Sequence, residues 1–109
     1  MNGSSIDLEQ KQREEARWRM LRVLDAGRPI AVSENIVWRV LHDVRLPMSI
    51  TGVRREFDYL RNLGLIEIED EDSDEAYAGR LTSAGVNIVE YAAPVPAGVA
   101  RPRKSIGAA

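Results

Sequence analysis

Ser49-Ile-Thr-Gly-Val-Arg-Arg-Glu-Phe-Asp-Tyr-Leu-Arg-Asn-Leu-Gly-Leu-Ile66 is the stretch from which the rest of the chain can be read. Its apolar residues recur at Ile50, Val53, Phe57, Leu60 and Leu63, the spacing that lines one face of a helix. Pro47 stands just before it, and the Ser49 hydroxyl can accept hydrogen bonds from the first free backbone N–H groups. Gly64 ends it, since glycine readily enters the left-handed conformation found at helix C-termini. Thr51, Arg54, Arg55, Asp58, Arg61 and Asn62 fall on the opposite face. The stretch therefore predicts a helix with one buried side and one polar, arginine-bearing side.

Upstream, a second helical break lies close by. Ser33 can cap a helix over about Glu34–Val44, with Ile36, Val37, Val40 and Leu41 facing inward. Arg45-Leu-Pro-Met48 forms the turn, and Pro47 stops this helix from running into the next. Two helices joined by a short break, the second with a polar outer face, is the helix-turn-helix pattern. Before it, about Asp7–Ala26 reads as a long helix. Its first half is polar all round and supported by Glu9/Arg13 and Glu15/Arg19 pairs, and its second half is apolar through Ala16, Met20, Val23 and Leu24, with Trp18 and Leu21 beside them. Gly27-Arg-Pro29 stops it, and Ile30-Ala-Val32 can supply a short strand.

Downstream, Leu65-Ile-Glu-Ile-Glu69 alternates as a half-buried strand should, and Glu75–Leu81 can return as its antiparallel partner around a tip at Asp70–Asp74. Thr82-Ser83 then caps a last helix, about Ala84–Tyr91. From Ala93 the chain carries Pro94, Pro96 and Pro102, no periodicity, and a basic cluster at Arg101, Arg103 and Lys104. The organisation expected is a frayed start over residues 1–6, one domain over residues 7–91, and an extended Pro/Gly/Ala-rich basic tail over residues 92–109.

Composition narrows the chemistry. The 109 residues suffice for one core, and with six aromatics that core must be mainly aliphatic. The absence of cysteine removes disulfides, thiolate zinc sites and cysteine nucleophiles together. No apolar run reaches the roughly 18 residues that span a bilayer, and the first residues are polar rather than signal-like, so a soluble, intracellular protein without membrane contact is expected. The net charge of −2 hides an uneven distribution: seven of the 17 acids lie within Glu67–Glu75, leaving ten against 15 basic residues elsewhere.

The order helix, short strand, helix, helix, two-stranded hairpin, helix resembles a winged helix-turn-helix domain: mainly α, with a small β-hairpin as the wing and an extended C-terminal tail. The runs Leu60-x-x-Leu-Gly-Leu-Ile66 and Arg80-Leu-Thr-x-x-Gly85 are the parts most typical of that fold. More narrowly, Val53-Arg-Arg-Glu-Phe-Asp-Tyr-Leu60, Leu81-Thr-Ser-Ala-Gly85 and Val95-Pro-Ala-Gly-Val-Ala-Arg-Pro-Arg103 are similar to the small ArsR- or MarR-like winged-helix proteins of Mu-like phages and prophages. That resemblance spans roughly Ala16–Arg103. It implies a phage protein in the cytoplasm of a bacterial host, of a family without an assigned biochemical role.

Two uses of such a domain compete. As a regulator-like DNA binder, the chain would place its third helix in the major groove of duplex DNA. Thr51, Arg54, Arg55, Arg61 and Asn62 would then be the contacts, and Arg101, Arg103 and Lys104 would grip the backbone. A homodimer through the first and last helices would suit a palindromic site. As an adaptor in phage morphogenesis or DNA packaging, it would instead bind another phage protein through the acidic wing, Glu69, Asp70, Glu71, Asp72, Asp74 and Glu75. Those carboxylates would repel phosphate, which argues against a wing that touches DNA. They also fail as a calcium loop, with Glu75 where glycine is needed and Leu81 where a bidentate glutamate is needed. His42 has no histidine, cysteine or nucleophile partner, so no catalytic residue, metal or cofactor is assigned.

Overall fold

The computed structural model describes residues 6–104. Among the described residues, four helices and a three-stranded antiparallel sheet form a mainly helical fold in the order α1 (Leu8–Gly27), β1 (Val32–Ser33), α2 (Glu34–Asp43), α3 (Ile50–Asn62), β2 (Ile66–Glu69), β3 (Ala78–Leu81), α4 (Ser83–Val89). Each helix begins on an oxygen-bearing side chain that accepts from a backbone N–H three residues on: Asp7 from Gln10, Ser33 from Ile36, Ser49 from Gly52 and Thr82 from Gly85. Among the described residues, no helix is long and apolar enough to cross a membrane.

Three helices also end alike. After α3, Gly64 adopts φ +76°, its N–H donates to the Arg61 carbonyl, and the Leu65 N–H donates to the Leu60 carbonyl. The same pair of bonds follows α2 and α4, but there the left-handed position is held by Arg45 (φ 65°) and Tyr91 (φ 60°). The closing bonds fold Leu46 and Leu65 back into the core, which aims the chain into its next element.

Strand β3 is central, with β1 and β2 on either side. In the hairpin, Ile66 faces Leu81, Glu67 faces Arg80 and Ile68 faces Gly79. The first strand lies later than Ile30–Val32: Val32 pairs with Gly79 and Ser33 with Ala78, while Ile30 stays 75% exposed. Gly79 sets this register, because a side chain there would meet Phe57 and Leu24 packed beneath it. The return strand is also shorter than Glu75–Leu81. The Ser73 hydroxyl accepts from the N–H groups of Glu75 and Ala76, and that turn keeps both out of the ladder.

The core joins Ala16, Trp18, Met20, Leu21 and Leu24 of α1 to Val37 and Leu41 of α2, Val53, Phe57 and Leu60 of α3, and Ile88 of α4. On α2 the inward set differs from expectation. Ile36 is exposed and Val40 half-buried, whereas Glu34, one turn before Val37 on the same face, is buried.

Residues 93–104 lack regular structure, as expected of a tail, yet they are docked. The Ala100 N–H donates to the Glu14 carbonyl, Arg17 Nη1 to the Gly98 carbonyl at 2.9 Å, and the Tyr59 hydroxyl to the Ala97 carbonyl. Gly98 has φ +91°, and a side chain on it would collide with the Tyr59 hydroxyl. Val99 enters the core at 6% exposure. The substitution Val99→Ala is therefore expected to lower unfolding free energy by about 1–2 kcal/mol in urea denaturation. A detached tail would give no change.

Candidate nucleic-acid interface

Helix α3 buries Gly52, Val53, Glu56, Phe57 and Leu60, so Thr51, Arg55, Asp58 and Asn62 form its outermost stripe. Arg54 and Arg61 turn toward the hairpin, and Tyr59 turns toward α1 and the tail. The two flanks of the helix differ in charge.

On the hairpin flank, Arg54 is committed within the fold. Its Nε and Nη2 donate to the two carboxylate oxygens of Glu34, each at 2.6 Å. The Glu34 side chain is 3% exposed, so this is a bidentate pair with one partner almost fully removed from water. The Arg54 guanidinium also lies 4.2 Å from the Tyr77 ring centroid, and Nη1 is 3.3 Å from Asp74. The hydrogen bond to Glu34, more than any other cause, raises its pKa further above the ordinary arginine value. Arg61 donates to Glu71 at 2.9 Å and to Asp58 at 2.7 Å, and the Glu71 contact leads the rise in its pKa. Asp58 thus pairs with Arg61.

The hairpin acids are accordingly less uniform than their sequence suggests. Glu67 and Glu69 sit across from Arg80 at 3.0 and 3.3 Å. Glu71 and Asp74 face the helix arginines. Among the described residues, Asp70, Asp72 and Glu75 have no basic partner, and all three are exposed. No group of three or more histidines, cysteines or carboxylates among the described residues is arranged to hold a metal ion.

On the α1 flank, Arg17 donates from Nε to Glu56 at 2.7 Å, and its guanidinium lies 3.6 Å from the centroid of the Tyr59 ring. Arg55 points outward and makes no ion pair among the described residues. The same holds for Arg39 on the exposed side of α2 and for Arg45 in the turn. Neither had been singled out in the sequence. Arg39 lies within a helix read there for its apolar residues, and Arg45 stands in a turn read there only for its proline.

The tail cluster divides. Arg101 Nη1 donates to the Ile88 and Ala93 carbonyls, and the guanidinium lies over the Tyr91 ring at 4.4 Å, so this arginine holds the tail to the end of α4. Arg103 and Lys104 remain exposed, Lys104 at 5.9 Å from the same ring. Thr51 and Asn62 are exposed at opposite ends of α3. His42 lies in the last turn of α2, exposed and 5.0 Å from the Trp38 ring.

Comparison with protein-family models, curated proteins and solved structures finds no match to this chain. The functional reading consequently rests on the residues themselves.

Removing one member of a largely buried ion pair strands its partner, whereas removing both does not. Arg54→Ala alone should lower the urea midpoint clearly, and Glu34→Leu together with Arg54→Leu should recover more than half of that loss. Tyr77 supplies a pH test. Burial first, then the Asp58 charge, raises its pKa above the ordinary tyrosine value, favouring the neutral phenol in the folded state. Its contribution is therefore complete below the ordinary tyrosine pKa and is lost as pH rises through the folded value. As pH rises above about 10, the ordinary tyrosine value, the wild-type midpoint should fall more steeply than that of Tyr77→Phe.

Proposed function

We propose that the chain is a winged helix-turn-helix protein without catalytic activity that binds duplex DNA through its turn and the outer stripe of α3. The order of elements supports that fold, and the regulator-like role in a bacterial host is what the sequence resemblance to small ArsR- or MarR-like proteins of Mu-like phages suggests. The observation carrying the DNA reading is that three exposed arginines of the two helices and their turn, Arg39 on α2, Arg45 in the turn and Arg55 on α3, have no carboxylate partner among the described residues. These elements are the ones a helix-turn-helix brings to a duplex, the first helix crossing the backbone and the second entering the major groove. Thr51 and Asn62 on the same stripe offer hydrogen bonds to base edges or phosphates. Arg54 and Arg61 serve the fold in this reading, and the wing stays off the DNA. A homodimer would use the outer faces of α1 and α4, because Trp18 and Ile88 are already buried within one chain.

A second reading, a protein-binding adaptor, draws support from Asp70, Asp72 and Glu75, three exposed carboxylates at the hairpin tip without basic partners among the described residues. A salt series with labelled duplex separates the two. Arg39→Ala, Arg45→Ala and Arg55→Ala together should reduce duplex affinity at least tenfold and lower the slope of log affinity against log salt by about two to three. Unchanged affinity would remove these arginines from the interface, and absence of salt-dependent binding by the parent would end the DNA reading and favour the adaptor.

Arg45 provides a sharper variant, because it occupies a left-handed position that glycine fills without strain. Arg45→Gly should stabilise the fold by about 0.5–1 kcal/mol, the relief of strain exceeding glycine's greater unfolded-state entropy. The same variant should weaken duplex binding. A rise in melting temperature accompanied by a loss of affinity would mark Arg45 as a binding residue retained against stability.

A further inference from the structure

The polar first half of α1 extends beyond the core, and its inner side forms one wall of a groove of about 600 Å³. Glu9, Gln12 and Arg13 line that wall. Pro47 and Met48 of the turn, with Arg55 of α3, line the other, and Arg17, Glu56 and Tyr59 form the floor. The groove therefore runs alongside α3 on the flank opposite the acidic hairpin.

Its charges are not equally available. Arg17 and Glu56 neutralise each other at 2.7 Å, with side chains only 12% and 3% exposed, and Arg17 is further tied to the Gly98 carbonyl. Arg13 has only a loose partner: Glu9 stands 3.5 Å away and its side chain is 86% exposed. An exposed pair of that kind contributes a few tenths of a kcal/mol and yields to a stronger anion. Arg55 has no carboxylate partner among the described residues. Two guanidinium groups thus line one open groove, each free to meet an anion in the bidentate manner that arginine offers phosphate.

We infer that this groove is a backbone-phosphate site of the duplex interface, with Arg13 of α1 and Arg55 of α3 gripping one DNA strand from opposite walls. The inference rests on the DNA reading above and adds α1 to the binding surface. The charge difference between the flanks supports it. A duplex centred on α3 is repelled by the hairpin carboxylates and attracted toward the arginines beside α1. Glu9 is then the one acid in the groove that opposes binding, since Glu56 is already paired.

The test is duplex binding across a salt series by the full chain and three single variants. Arg13→Ala should weaken binding three- to tenfold near 100 mM salt and lower the salt slope by about one. Glu9→Gln should tighten binding. Arg19→Ala removes a charge from the same helix at a separate groove beside the tail, and should leave affinity unchanged. Wild-type affinity and slope in Arg13→Ala, or an equal loss in Arg19→Ala, would overturn the inference while leaving the DNA reading intact. Absence of salt-dependent binding by the unsubstituted protein would overturn both. Unfolding midpoints of the variants, expected to match that of the parent, exclude a folding defect as the cause of any loss.

Discussion

The fork between Arg54 and Glu34 is the constraint on which the arrangement of α2, α3 and the hairpin depends. It joins the first turn of α2 to the first half of α3 through two hydrogen bonds of 2.6 Å, and Tyr77 covers the guanidinium from the hairpin side. Tyr77 in turn stacks on Phe57 in the core, with ring centroids 6.0 Å apart. A charged pair in this position contributes little net stability compared with apolar residues of the same size. What it adds is direction. A buried carboxylate accepts few alternatives to a correctly placed guanidinium, so the angle between the two helices and the seat of the hairpin are fixed together.

That commitment determines which parts of the surface remain for a partner. The hairpin arginine Arg80 and the helix arginines Arg54 and Arg61 are absorbed by carboxylates of the same chain, and the Arg101 guanidinium bonds backbone carbonyls. Helix α3 is left with an acidic flank and a basic flank. Any polyanion approaching it meets repulsion on one side and open arginines on the other. A protein partner bearing basic residues would meet the reverse.

Local signals in the sequence carried the helix starts well. Asp7, Ser33, Ser49 and Thr82 each act within three residues of themselves, so their chemistry can be read without knowing the fold. Gly64 was equally legible because a left-handed helix end favours glycine. Arg45 and Tyr91 do the same work with residues that give no such signal. The pairing of Arg54 with Glu34 was hidden for another reason: the partners are 20 residues apart, and nothing local marks Glu34 as buried rather than as an ordinary first-turn acid. The candidate site suffered most from this, since an arginine on an outward-facing stripe looks the same in sequence whether or not a distant carboxylate claims it. The docked tail was illegible for a similar reason. Its bonds are to carbonyl groups, which every residue has, and of its own residues Val99 and Arg101 contribute side chains to the docking while Gly98 must lack one.

The tail also closes the chain into a ring. Arg17 reaches Gly98 across 81 positions of sequence, and the Ala100 N–H meets the Glu14 carbonyl, so the end of the folded region lies against the middle of the first helix. The hairpin tip at Asp72, by contrast, is exposed and joined to the rest mainly through its neighbours. A circular permutant opened at Asp72, with a short linker joining the old ends, would keep every strand pairing and every packed helix. The connectivity of this fold is thus separable from its architecture, and the acidic tip is the natural place to cut it.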